Sequence, residues 1–542
     1  MDCEGASTTT DDRRAAHLDA YDLWVSLQGE DHRAAAVELP LAAGRAERAG
    51  WTEVAFVLAA AEMVHQIMRP TGTVAPIEGV EALLRRAEEL ESPPFTAIAL
   101  GMRAVLASAT GDTAALLADA SRAVALLDDE TQPPLDRCAG YVVAAASLNT
   151  LRLWELVDDL YARAAELAPL CDGPGQAAAV ATNRVLTRLE WALALLENGD
   201  DRAAELQLAR VSEVLPAALA EPLPRLWRHN VEACAEVVRL LRGEDPMGRT
   251  ESLAGHHMSL TDAGDLELLP LLEAATVWAL WRHGHREAAT AAALRLVSIP
   301  SSASGARTFP LWVRASVLAR CAPSAATDAQ QEHATLVTRL LWESRQAVQA
   351  AARAQIDVER RRAEHAGLTR AVHTDALTGL HNRRSFDAWL EGGSRGPRRG
   401  TALLLIDLDG FKQINDTYGH DCGDQVLRRI GELMRATIRP DDVAIRHGGD
   451  EFAVLLSDER LTSGAAWQRA TELRAIIADD PWAALSPGLV VTVTVGVAVS
   501  PAGDEDEAPT EPVDIYRAAD RALYAAKSDG SGLILAEVAA LG

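Results

Sequence analysis

Between about residues 15 and 325, apolar side chains recur at intervals of three and four, as in "ELVDDLYARAAELA" and "AEVVRLL", and no stretch alternates apolar with polar. That period predicts amphipathic helices throughout. Turn-like interruptions near Gly111, Leu151, Gly199, Gly243 and Gly284 are spaced by roughly 40–47 residues, close to a two-helix unit with a glycine-bearing turn. A helical repeat and a plain helical bundle both satisfy this pattern.

Residues 326–372 hold neither Gly nor Pro before Gly367. A frame through Val337, Leu341, Ser344, Val348, Ala351, Gln355, Val358 and Arg362 is mostly apolar. It predicts a connecting helix, which either pairs with a second copy as a coiled coil or packs on its own domain. After residue 373 the texture changes. Strand-like runs appear at Thr401–Leu408, "VAIR", "FAVLL" and Val490–Ser500, with helical patterns around Arg383–Leu390, Gly423–Arg435, Gly464–Ile477 and Pro512–Lys527. Loops are expected at "EGGSRGPRRG" (391–400) and the acidic "PAGDEDEAPTEP" (501–512). Strands alternating with helices predict one α/β domain. The expected organisation is therefore 1–325 helical, 326–372 connecting helix, and 373–542 α/β.

Composition narrows the function classes. A chain of 542 residues is too long for one core. A formal charge of −26 argues against non-specific binding to nucleic acid or an anionic membrane face. The six cysteines form no C-x-x-C pair, which suits a reducing compartment rather than zinc or a disulfide framework. No apolar run reaches the ~18–20 residues of a membrane span, and the acidic N-terminus is unlike a secretory signal. The expectation is a soluble, cytoplasmic protein. The paired histidines His256–His257 and His283/His285 lie in turn-like stretches without ligand-spaced partners and read as solvated surface. Only two of the 52 basic residues are lysines, Lys412 and Lys527.

Three segments carry candidate chemistry. In "AIRHGGDEFAVLL" (444–456), Gly448 and Gly449 lie between two strands, where glycines supply the positive φ of a tight primed turn and leave its tip bare. Asp450 and Glu451 then project from the start of the returning strand. In "LLLIDLDGFKQINDTYGHDCGDQVL" (403–427), a buried strand ends at Asp407, and a carboxylate there is costly unless it is paired or metal-bound. Gly410 and Phe411 lead into a helix whose first N–H groups can face phosphate beside Lys412. Asn415 and Asp424 could hydrogen-bond a base edge. The third segment, "DRALYAAKSDG" (520–530), is an amphipathic helix ending at Lys527, so both lysines fall where phosphate contacts are expected.

Together with "DALTGLHNRRSF" (375–386), these segments resemble the GGDEF domain of bacterial diguanylate cyclases over roughly residues 373–535. "LYARAAELAP" and the glycine-turn segments of the first region are similar to tetratricopeptide-type repeats. The resemblance implies a nucleotidyl-cyclase-like central sheet flanked by helices. It also implies a homodimer in which two bound GTP condense to cyclic di-GMP and two pyrophosphates. By the same resemblance Asp407, the carbonyl of Leu408, and Asp450 hold two Mg²⁺ or Mn²⁺ ions. Glu451, the second acid of the signature, assists the metals or deprotonates the attacking hydroxyl. Asn415 and Asp424 read guanine, and Gly410, Phe411, Lys412 and Lys527 contact phosphate at the bare bend of Gly448 and Gly449.

Two positions depart from the family pattern. Ser531 stands where an arginine is common, and His447 where another aromatic is commoner. Arg439 and Asp442, five residues ahead of the signature, match the inhibitory site at which cyclic di-GMP binds as product and inhibitor. The competing expectation is a silent GGDEF-type receptor for cyclic di-GMP or GTP, acting as an adaptor whose helical region binds a protein partner.

Overall fold

The protein is described here from a computed structural model covering residues 3–29, 32–68, 77–171, 174–263, 268–296, 308–321, 323–391, 400–439, 441–458, 461–500 and 510–538. Most of the two loops expected at 391–400 and 501–512 lies outside these residues. The chain divides into two units, residues 1–363 and 364–542.

In the first unit the described residues form helices and their connections, with no strand. Helix ends sit where the interruptions predicted them. Gly111, Gly199, Gly243 and Gly284 all adopt left-handed backbone. Asp112 and Asp200 follow two of these turns and cap the next helices, accepting from the Ala115 and Ala203 N–H groups at 3.0 Å. The turn near Leu151 uses Arg152, a non-glycine residue at φ 58°. His256 and His257 correct the turn expectation: both lie in the helix Thr250–Ala263, and His257 Nε2 is 3.1 Å from Glu273. The sequence pattern placed them in a loop because their helix is short and weakly amphipathic.

The helix predicted at 326–372 spans Ala325–His373. Its central part is packed, not bare. Arg345 donates two hydrogen bonds to the Glu155 carboxylate, at 2.7 and 2.9 Å, and lies over the rings of Trp154 and Trp342. Ala352 and Ile356 are buried among the helices Thr113–Leu126 and Trp154–Leu167. A different face carries Val337, Leu341 and Val358, which stay exposed.

The second unit is a five-stranded sheet of β1 (Gly400–Leu408), β2 (Val443–Gly448), β3 (Glu451–Asp458), β4 (Val493–Ser500) and β5 (Leu533–Glu537), in the order β2-β3-β1-β4-β5. All neighbours are antiparallel except β4 and β5. Alternation along β1 divides its side chains between two layers. Ala402, Leu404, Ile406 and Leu408 pack with the helices His420–Thr437 and Ser463–Asp479. Leu403 and Leu405 face Phe386 and the helix Pro512–Asp529. Gly496 on β4 lets that last helix lie against the sheet, because a Cβ there would strike the backbone at Ala519 and Leu523. Among the described residues no helix is long and apolar enough to cross a membrane.

Candidate active site

The end of β1 and the β2–β3 turn meet by register. Asp407 pairs with Glu451 across β1–β3, so both side chains leave the same face of the sheet. The Leu408 N–H donates to the Asp450 carbonyl at 3.2 Å, tying the strand end to the turn. Only Gly449 takes positive φ (50°); Gly448 ends β2 after a bulge. The turn therefore uses one glycine for its backbone where two were expected, because the bulge absorbs the other.

Arg446 holds this turn in place. It donates to the Gly449 carbonyl from Nε (3.1 Å) and Nη2 (2.8 Å), and its Nη1 reaches Asp375 at 3.1 Å. Burial pushes the Asp375 carboxyl up, but Thr378 and Arg446 outweigh it and hold the group below its ordinary value. His447 packs edge-on to Phe386, and its Nδ1 lies 3.3 Å from Glu451 Oε2.

Lys527, in the last turn of the helix Pro512–Asp529, places Nζ 2.6 Å from Asp407 Oδ1. Burial raises the Asp407 pKa, Lys527 opposes the rise, and the nearby charges of Asp450 and Glu451 add to it. Three carboxylates, Asp407, Asp450 and Glu451, thus act on one locus. Asp407, Gly410, Lys527 and Gly530 line a cleft of about 420 Å³.

Residues 372–532 match the family described as diguanylate cyclase, GGDEF domain. This segment is a GGDEF domain. The chain is similar to the response regulator PleD of Caulobacter vibrioides, at 34% identity over 169 residues, which is 31% of this chain and 36% of that protein. The diguanylate cyclase DgcS of Shewanella oneidensis is 35% identical over 159 residues, 29% of this chain and 50% of that protein. A crystal structure of the coiled coil and GGDEF domain of DgcB from Caulobacter crescentus, in complex with c-di-GMP, matches with 28% identity and TM-score 0.28. That match covers 34% of this chain and 97% of that one. The chain spans about a third to a half of the length of the curated relatives it matches.

Within the GGDEF domain, Gly410 (φ 66°) precedes the helix Phe411–Tyr418, on which Phe411 is partly buried and Lys412 is exposed. Asn415 on this helix lies against Gly423, and Asp424 beside it is exposed on the helix His420–Thr437. Asp409, also at the end of β1, is occupied: Thr492 and Thr494 each donate a hydroxyl to it at 2.7 Å.

The donors around Asp407 suit a hard divalent cation. Asp407, with Asp450 and Glu451 near enough to raise its pKa, offers hard carboxylate oxygens. Among the described residues no three His, Cys, Asp or Glu side chains stand together as a complete cage.

A second cleft, of about 620 Å³, lies at the far end of the β2–β3 hairpin. That is about 20 Å along the strands from the turn. Arg439 and Asp442 both line it. Asp442 is nearly buried and already engaged, accepting from the Arg439 N–H at 3.0 Å and Arg469 Nη2 at 2.8 Å. The Arg439 guanidinium is exposed.

Sequence reasoning missed Arg446, Arg469 and Arg474. Arg446 stood inside the quoted signature, so its position was a signal. The other two come from the helix Ser463–Asp479, distant in sequence from both clefts. Arg474 lines the Asp407–Lys527 cleft, donates Nε to the Val493 carbonyl at 3.1 Å, and lies against Gly532.

Proposed function

We propose that this chain is a diguanylate cyclase: it condenses two GTP into cyclic di-GMP and releases two pyrophosphates. The observation that carries this reading is the register of Asp407 with Glu451 beside the Asp450 turn, with Lys527 on Asp407. Relatives of the GGDEF domain named as diguanylate cyclases support it.

Asp407, Asp450 and the Leu408 carbonyl would hold two Mg²⁺ or Mn²⁺ ions, which supply charge neutralisation for the triphosphate and the reacting α-phosphorus. The chain's own groups bind and orient. Asn415 and the Asp424 carboxylate read the guanine edge, the latter accepting from N1–H and the exocyclic amine. The N–H groups after Gly410 face phosphate, with Lys412 and Lys527 as point charges. Arg474 supplies, from another helix, the cation missing at Ser531. Glu451, the exposed acid of the pair and steadied by His447, accepts the proton of the attacking 3′-hydroxyl. One domain holds one of the two reacting nucleotides, so turnover needs a homodimer; the exposed seam of Val337, Leu341 and Val358 is the surface for it. The Arg439–Asp442 cleft binds product and inhibits, with Arg439 touching it and Asp442 positioning Arg469.

Incubation of the full chain with GTP and Mn²⁺, followed by nucleotide chromatography, tests the reading. Cyclic di-GMP is expected from the native protein and not from Asp450→Ala, whereas Arg439→Ala is expected to continue past the level at which native turnover stalls. Absence of product, with cyclic di-GMP still retained by the protein, would establish a receptor instead.

A further inference from the structure

The helical unit holds an open-sided cavity of about 620 Å³ that the cyclase reading does not use. That volume is within the range of small-molecule sites, about 300–1,000 Å³. Trp24, Ile67, Met102, Val142 and Leu271 give it an apolar wall. Among the described residues, one charged residue lines it, Glu190.

Two amide oxygens in this cavity are left without partners. Asn149 Nδ2 and Trp154 Nε1 each donate to Glu190 Oε2, both at 3.4 Å. With its amide nitrogen so engaged, Asn149 presents its oxygen, and that Oδ1 is buried without a hydrogen-bond partner. Asn230, from another helix on the cavity wall, also has a buried Oδ1 without a partner. The Tyr161 hydroxyl is held well above its usual range, first by burial and then by the Glu190 charge. Buried carbonyl oxygens are ordinarily paired, so two unpaired ones in a cavity that also holds a carboxylate mark a place that calls for donors.

We propose that this cavity is a binding site for a small apolar molecule bearing a primary ammonium group. The ammonium faces Glu190, Asn149 and Asn230, and the apolar body fills the space between Trp24 and Leu271. An ammonium has three donors and no acceptor capacity, which matches a carboxylate and two amide oxygens. A carboxylate ligand in the same place would meet the like charge of Glu190 and two oxygens that cannot donate. The site lies within the first unit and is independent of GTP chemistry.

Isothermal titration calorimetry on the full chain tests this with two probes of the same shape, tryptamine and indole-3-propionate. Tryptamine is expected to bind one-to-one and saturably, with indole-3-propionate weaker by at least about tenfold. Glu190→Gln is expected to reduce tryptamine affinity by about tenfold. Ala146→Trp, which fills the cavity from an exposed position on its wall, is expected to abolish binding while the helical circular dichroism is kept. Should Ala146→Trp fail to fold, Glu190→Gln decides. Equal binding of the two probes, no saturable heat with tryptamine, or affinity unchanged by Glu190→Gln would each overturn the proposal, leaving an ordinary hydrated cavity.

Discussion

Arg446 serves two segments with one guanidinium: two donors on the Gly449 carbonyl hold the turn, and a third fixes it to Asp375. A planar fork of donors can do this where a lysine could not. Arg474 makes a similar use of geometry on the other side of the site. Its Nε is committed to Val493, while the rest of the guanidinium lies beside Gly532 in the cleft that holds Lys527. Arg474→Ala is expected to raise the GTP KM with a smaller change in kcat. The loss of one charge-assisted hydrogen bond, about 1–3 kcal/mol, corresponds to roughly five- to 150-fold. Ser531→Arg in that background should recover most of the loss. A purely structural Arg474 would show no such rescue in steady-state kinetics.

At the scale of elements, burial of charge decides which helices are pinned. Glu236 on the helix Arg225–Leu241 has a fully buried side chain, and Arg249 and Arg239 both bond to it, Arg249 Nη2 at 2.7 Å. Burial alone would raise its pKa; the two arginines, Arg249 foremost, hold it below the ordinary glutamate value of 4.5. Because the folded pKa is the lower one, this stabilisation is complete above pH 4.5 and is lost as the pH falls through the folded value. Glu236→Ala should cost the helical unit about 3 kcal/mol at neutral pH. The difference from native should shrink in thermal melts taken below pH 4, and a constant difference from pH 7 to pH 3 would refute it. The strands were legible where apolar runs were long, as in β1 and β4. β5, five residues beside β4, was not read, because its parallel pairing gives no hairpin signal.

For the whole molecule, the long helix Ala325–His373 presents two faces with different fates. Arg345, Ala352 and Ile356 are buried in the helical unit, while Leu341 is 67% exposed and Val337 39%. If the exposed seam pairs two copies, Val337→Glu with Leu341→Glu places unpaired charge in that interface. The double variant should need more than about tenfold higher protein concentration for half-maximal turnover, with an unchanged melting temperature for the isolated chain. Turnover that is identical at every concentration would remove the seam from the dimer. Heptad spacing announced an apolar stripe, but it did not say which stripe packs at home, since Ala352 and Ile356 lie one residue off the frame.

Local chemistry was within reach of the sequence by itself. Helical period, glycine at helix ends, the acids beside a bare turn and the rarity of lysine all act over a few residues, and so they predicted two kinds of region and the position of the site. The tertiary structure alone decided what converges from far apart: Lys527 on Asp407, Arg474 beside Gly532, Arg469 on Asp442, and the cavity around Glu190. Within the second unit, the meeting of Lys527 with Asp407 depends on strand register and on how closely a helix can approach the sheet at Gly496. Both are set by packing across the whole core rather than by any one stretch of chain.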